Sequence, residues 1–253
     1  MDQNQFDHQQ YYREPEGFYN LEKQEEQDRK IALYVAKVMG WMCVGLFVTL
    51  ASAAVCLAVP SVRLLLFGTN AYYAVFVVQL VLVLAFTFTL NKISAGTATV
   101  LYLLYSMFTG VTFSVLAVVF TMSSIVFVFG LTGLIFLMMA VYGYVTKQDL
   151  TRIGTLAFFG LIGIILTSIL NMLIFNSSAV ELLICCFGIV IFMVLIGYDT
   201  QKIEDMYITA TETGHEAESD VVRKIAIFGA FQLYLDFINL FIRLLQLVGR
   251  RRS

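Results

Sequence analysis

Charge is scarce in this chain. Of its 253 residues only 13% are Asp, Glu, Lys or Arg, against about 25% in an ordinary soluble domain, while 59% are hydrophobic and the mean hydropathy is +0.82. That balance excludes a soluble globular fold and leaves a polytopic membrane protein. Histidine is almost absent: His8 lies in the polar head of the chain and His215 in a hydrophilic connector, so no apolar stretch holds a histidine to ligate a metal or relay a proton. The four cysteines, Cys43, Cys56, Cys185 and Cys186, lie in apolar runs without CxxC spacing and read as small buried hydrophobes. A net charge of −2 and the lack of a basic, aromatic-rich patch argue against nucleic acid as a partner. No nucleotide-binding glycine loop, zinc motif or Ser/His/Asp set is present, so neither an enzyme nor an organic cofactor is expected.

What the chain does have is long uncharged runs. A span needs about 20 apolar residues to cross about 30 Å of hydrocarbon. On that ruler spans fall near residues 34–59, 71–90, 97–120, 125–145, 156–175 and 179–198. Residues 1–30 are polar throughout, which predicts a largely disordered cytoplasmic tail and no cleavable signal peptide. An acidic loop is expected over 200–219 before a last helix, with residues 31–249 forming the membrane domain and 250–253 a basic end. With the amino terminus in the cytoplasm, ten basic residues flank the inner ends of the spans and Arg63 is the one basic residue in the first three outer loops. The positive-inside rule therefore sets the amino terminus in the cytoplasm. Arg250, Arg251 and Arg252 oppose a seventh full crossing, but the 21 residues from 229 to 249 are long enough for one.

The last helix is the stretch on which function turns. In GAFQLYLDFINLFIRLLQLVG the residues Gln232, Asp236, Asn239, Arg243 and Gln246 recur at +4, +3, +4, +3, which at about 100° per residue confines them to an arc of about 80°. Lipid satisfies none of these groups, so the stripe faces water or other polar groups in a bundle. An amphipathic helix lying on the membrane surface is the alternative. A second carboxylate, Asp199, closes the sixth span in IGYDTQKIE. The two aspartates meet only if the sixth helix runs on past Lys202 and the seventh starts in the cytoplasm. Paired, they would release their protons at separated apparent pKa values and offer the clustered oxygens that calcium prefers. Arg243 and Lys92 are the bases expected to neutralise them. The alternative is that Asp236 pairs with a nearby base and simply holds helices together.

The segments KVMGWMCVGLFVT, YVTKQDLTRIG, GYDTQKIE and LYLDFINLFIRLLQLVG resemble the transmembrane Bax inhibitor motif family in its bacterial branch. The resemblance implies an all-α bundle of seven transmembrane helices, with the polar-striped seventh central and six around it. It also implies a pH-sensitive calcium leak of the plasma membrane, gated by Asp199 and Asp236, with a base near the end of the second span as latch, for which Lys92 is the match. Two other functions stay open. One is a non-catalytic partner restraining other membrane proteins. The other is an intramembrane aspartyl protease, for which Tyr198 and Asp199 supply half a signature while YLDF lacks the required GxGD.

Overall fold

The computed structural model describes residues 16–61, 71–89 and 92–251; the expectations placed on residues 1–15, Arg63 and Arg252 lie outside them. The chain forms α1 (Glu16–Ala58), α2 (Ala71–Thr89), α3 (Ala95–Phe113), α4 (Met122–Val145), α5 (Thr151–Leu170), α6 (Ser178–Glu212) and α7 (Asp220–Val248). A single turn, Leu116–Val119, joins α3 to α4, and the π-helical turn Asn171–Phe175 ends α5. Among the described residues there is no strand, only a bridge between Phe120 and Arg251. Six helices, all but α2, are long and apolar enough to cross a membrane, and α2 is an apolar helix with a shorter described stretch, Ala74–Thr89.

The helices differ sharply in burial. In the most apolar window of α7 67% of residues are buried, against 6% in α5, so α7 lies inside the bundle and α5 at its lipid face. Phe158, Phe159, Leu166 and Ile169 of α5 point outward. α7 packs against α1, α3, α4 and α6. Its inner turns carry an aromatic cluster in which Phe231 meets Phe86, Tyr102 and Tyr105, and Phe237 meets Phe129 and Phe136. The Tyr234 hydroxyl shares a 2.7 Å hydrogen bond with Thr49 Oγ1, which also bonds the Gly45 and Ser106 carbonyls. Buried hydroxyls with partners at these distances add orientation to the packing without stranding polar atoms in lipid.

Two expectations from the sequence are corrected. Of the tail expected to be largely disordered over 1–30, the described part, from Glu16 on, is helical as the start of α1. Its Glu, Lys and Gln residues are good helix formers, and Glu26 pairs with Lys30 at 2.7 Å one turn on. The acidic loop 200–219 shrinks to 213–219, because α6 continues to Glu212. Residues 199–212 contain no proline or glycine, and Ile203, Tyr207 and Ala210 recur at +4 and +3 as a buried stripe. Tyr207 stacks on Tyr34 of α1 with ring centroids 4.3 Å apart, so the two long helices brace each other beyond the apolar core. The helix then stops in a Schellman turn: Gly214 takes φ 86°, its N–H bonds Thr211 O, and the His215 N–H bonds Ala210 O.

α7 is fixed at its start to the start of α3 and at its finish to the start of α4. At its start Ser219 caps the helix, and Asp220 Oδ1 accepts from the Ala95 N–H at 3.1 Å. Nearby, Lys224 Nζ donates to Ile93 O at 3.2 Å. At its finish the Arg250 N–H donates to Ser124 Oγ and Arg250 O accepts from the Thr121 N–H. Only the single turn Leu116–Val119 separates the end of α3 from the start of α4, so a helix tied at one end to Ala95 and at the other to Thr121 runs the length of α3.

Candidate functional site

The α6–α7 hairpin sets the register of the two aspartates. Asp199 lies 13 residues before the end of α6 at Glu212, and Asp236 lies 16 residues after the start of α7 at Asp220. With about 1.5 Å per residue in both arms, the short 213–219 connector brings the two side chains to nearly the same depth. Both line one cavity, and both residues are buried, at 7% and 6% exposure.

Close approach of α4 to α6 sets the position of Asp199. A Cβ on Gly143 would fall against the Gly197 carbonyl, so these two helices touch backbone to backbone two residues before the aspartate. On the other flank the Tyr198 ring lies directly over Gly154 of α5, where a Cβ would overlap it. Glycines at 143 and 154 thus let three helices close around the start of the site.

The pair opens onto a cavity of about 520 Å³ walled by α5, α6 and α7, with Thr87 of α2 at its edge. Gln232, Asp236 and Asn239 line it from α7. Asp236 Oδ2 and Gln232 Oε1 are buried with no hydrogen-bond partner among the described residues. Two such acceptors one turn apart are costly, by about 1–3 kcal/mol for each unsatisfied group, unless water or a cation fills the space.

The cation beside the pair is Lys202, one turn beyond Asp199 on α6. Its charge acts on both carboxyls, and Nζ lies 5.8 Å from the Tyr198 ring centroid and 6.0 Å from that of Phe228. Neither base expected from the sequence takes this place. Lys92 lies in the turn between α2 and α3 and is not among the charges acting on the pair. Arg243 is two turns further along α7, about 10 Å by helical rise, where its Nη1 donates to Gln246 Oε1 at 3.3 Å. Both residues line a second cavity, of about 410 Å³, with Ser168, Asn171, Ser177 and Glu181. The polar stripe of α7 is therefore shared between two cavities. Lys202 was legible as an i, i+3 neighbour of Asp199 once α6 is extended as helix; Gly143 and Gly154 had no signal, since a glycine in an apolar run does not announce what it touches.

Among the described residues no three His, Cys, Asp or Glu side chains gather to hold a metal ion. The pair with its amide neighbours falls short of the six to eight oxygens of a resident calcium site.

A multi-pass helical membrane protein built around a buried carboxylate pair is the class that this fold and site define. Residues 31–253 match the family described as "Inhibitor of apoptosis-promoting Bax1", and the chain belongs to that Bax inhibitor family. It is 41% identical over 221 residues to an uncharacterised protein of Borreliella burgdorferi, covering 87% of this chain and 93% of the relative. It is 40% identical over 220 residues to the inner membrane protein YbhL of Escherichia coli K12, covering 87% and 92%. An uncharacterised Rickettsia prowazekii protein is 35% identical over 226 residues, covering 89% and 93%.

Proposed function

We propose that this protein is a pH-sensitive calcium leak of a bacterial plasma membrane, with Asp199 and Asp236 as gate and ion-binding pair. The observation that carries the reading is the pair of unpartnered oxygens, Asp236 Oδ2 and Gln232 Oε1, in the cavity that Asp199 also lines. Oxygens of that kind, buried next to a second carboxylate, match what a hard cation exchanges for its water shell. The pair is at once the cation ligand and the proton acceptor, so calcium and protons compete for the same oxygens. Calcium is cargo here, not a cofactor, and no reaction is catalysed. In this reading α2 is a seventh crossing, α7 is the central helix, and the amino terminus is cytoplasmic. The balance of Lys and Arg around the spans supports that orientation.

The test is calcium flux into proteoliposomes between pH 6 and 8 for the native chain, Asp199→Asn and Asp236→Asn. A pH-dependent flux that disappears in Asp236→Asn supports the pair as gate and site. Undiminished flux in that variant at equal incorporation would sink the proposal and leave the aspartates as a contact between helices.

A further inference from the structure

The five polar residues of α7 form one stripe, yet they line two separate cavities along the same seam between α5, α6 and α7. Asn239 is the last stripe residue of the Asp199–Asp236 cavity, and Arg243 is the first of the other. Only one helical turn, about 6 Å, separates them. What stands in that interval is the arginine itself. Its Cγ, Cδ and Nε lie 3.3 Å from where a Cβ on Gly188 of α6 would be, so its stem lies on bare α6 backbone. The guanidinium is held by Gln246 Oε1, which also accepts from Cys185 Sγ at 3.4 Å. No carboxylate closes an ion pair with it among the described residues; Glu181, the acid of this second cavity, is exposed at the start of α6.

We infer that Arg243 is a fixed positive barrier between the two cavities, which limits passage of a divalent cation along the seam whatever the state of the aspartate pair. The inference rests on the calcium-leak reading and adds a second control point to it. Gly188 positions the barrier by letting the side chain lie across the seam, and Gln246 keeps the guanidinium from swinging away. Glu181 offsets part of its charge at the mouth.

Three variants measured in the same proteoliposome calcium assay at pH 7 test this. Arg243→Gln keeps a polar side chain and removes the charge. It is expected to raise the initial flux about tenfold, the penalty for a divalent ion one turn from a fixed positive charge at water-like screening. The pH at half-effect stays that of the native chain. Arg243→Lys keeps the charge and is expected to stay within about twofold of native flux. Glu181→Gln, at an exposed position that does not threaten folding, removes the offsetting acid and is expected to lower flux about twofold. Native flux in both Arg243→Gln and Glu181→Gln, in liposomes where the native chain leaks, overturns the barrier and leaves the leak standing. No flux from the native chain and none from Arg243→Gln overturns the leak reading, and the barrier with it.

Discussion

The contact between Gly143 and Gly197 makes a sharp quantitative claim. An alanine methyl at 143 would approach the Gly197 carbonyl oxygen far inside the ordinary carbon–oxygen separation of about 3.3–3.6 Å. Backbone is on the other side of that contact, so no rotamer change relieves it. The helices must part by about 1 Å at a point two residues from Asp199. Overpacking of this kind costs about 1–3 kcal/mol. Gly130 on the same helix has nothing within 4 Å of its would-be Cβ, so Gly130→Ala reports the backbone gain of alanine over glycine alone, about 0.5–1 kcal/mol in favour. Gly143→Ala carries the same backbone gain, so the two variants should differ by the overpacking cost alone, about 1–3 kcal/mol, and at roughly 2–4 °C per kcal/mol for a chain of this size Gly143→Ala unfolds below Gly130→Ala. Thermal unfolding in detergent, followed by circular dichroism, reads the difference. In liposomes Gly143→Ala should also weaken the pH dependence of flux, because displacing Asp199 loosens its meeting with Asp236. Equal unfolding temperatures for the two variants would refute the claim that this contact holds α4 and α6 together.

Lys202→Gln removes the cation that lines the cavity beside the aspartate pair and should change the pH dependence of flux, while Lys92→Gln leaves it in place, and a change in the second variant alone would contradict the assignment. Asp220→Ala strips the side-chain acceptor from the Ala95 N–H and should cost about 1 kcal/mol in thermal unfolding, without changing the pH response. An alkaline phosphatase fused after Ser253 should be active and one fused before Glu16 inactive, since α7 begins against the start of α3 and ends against the start of α4; an inactive carboxy-terminal fusion would mean that α7 does not cross.

Much of this arrangement was legible in the sequence because lipid imposes simple requirements. Apolar length marked the spans, and the +4, +3 spacing of Gln232, Asp236 and Asn239 marked the polar face of α7. The meeting of Asp199 with Asp236 followed from helical depth, on the condition that α6 runs past Lys202, and α6 does. The identity of the neighbouring base did not follow. Lys92 and Arg243 looked plausible by residue type, but which cation reaches a buried carboxylate depends on interhelical register, and that is fixed by contacts such as Gly143 on Gly197 that carry no signature. The acidic stretch after Lys202 misled for a different reason: its charges spoke for a solvated loop, while its Ile203, Tyr207 and Ala210 periodicity spoke for a helix braced against α1. The helix period won.

The anchoring of α7 to the start of α3 at one end and to the start of α4 at the other divides the bundle into a frame and a wall free to move. A helix pinned at Ala95 and Ile93 on one side and at Ser124 and Thr121 on the other cannot slide like a piston or tip at one end without breaking hydrogen bonds at the other. The walls of both cavities are completed by α5, which among the described residues has little of its surface inside the protein and packs chiefly on α6. Widening either cavity is thus a matter for α5 to swing outward into lipid, a displacement that costs few protein contacts. Hydrogen exchange along α5 that quickens as the aspartate pair changes protonation, with α7 unmoved, is the signature of such a wall.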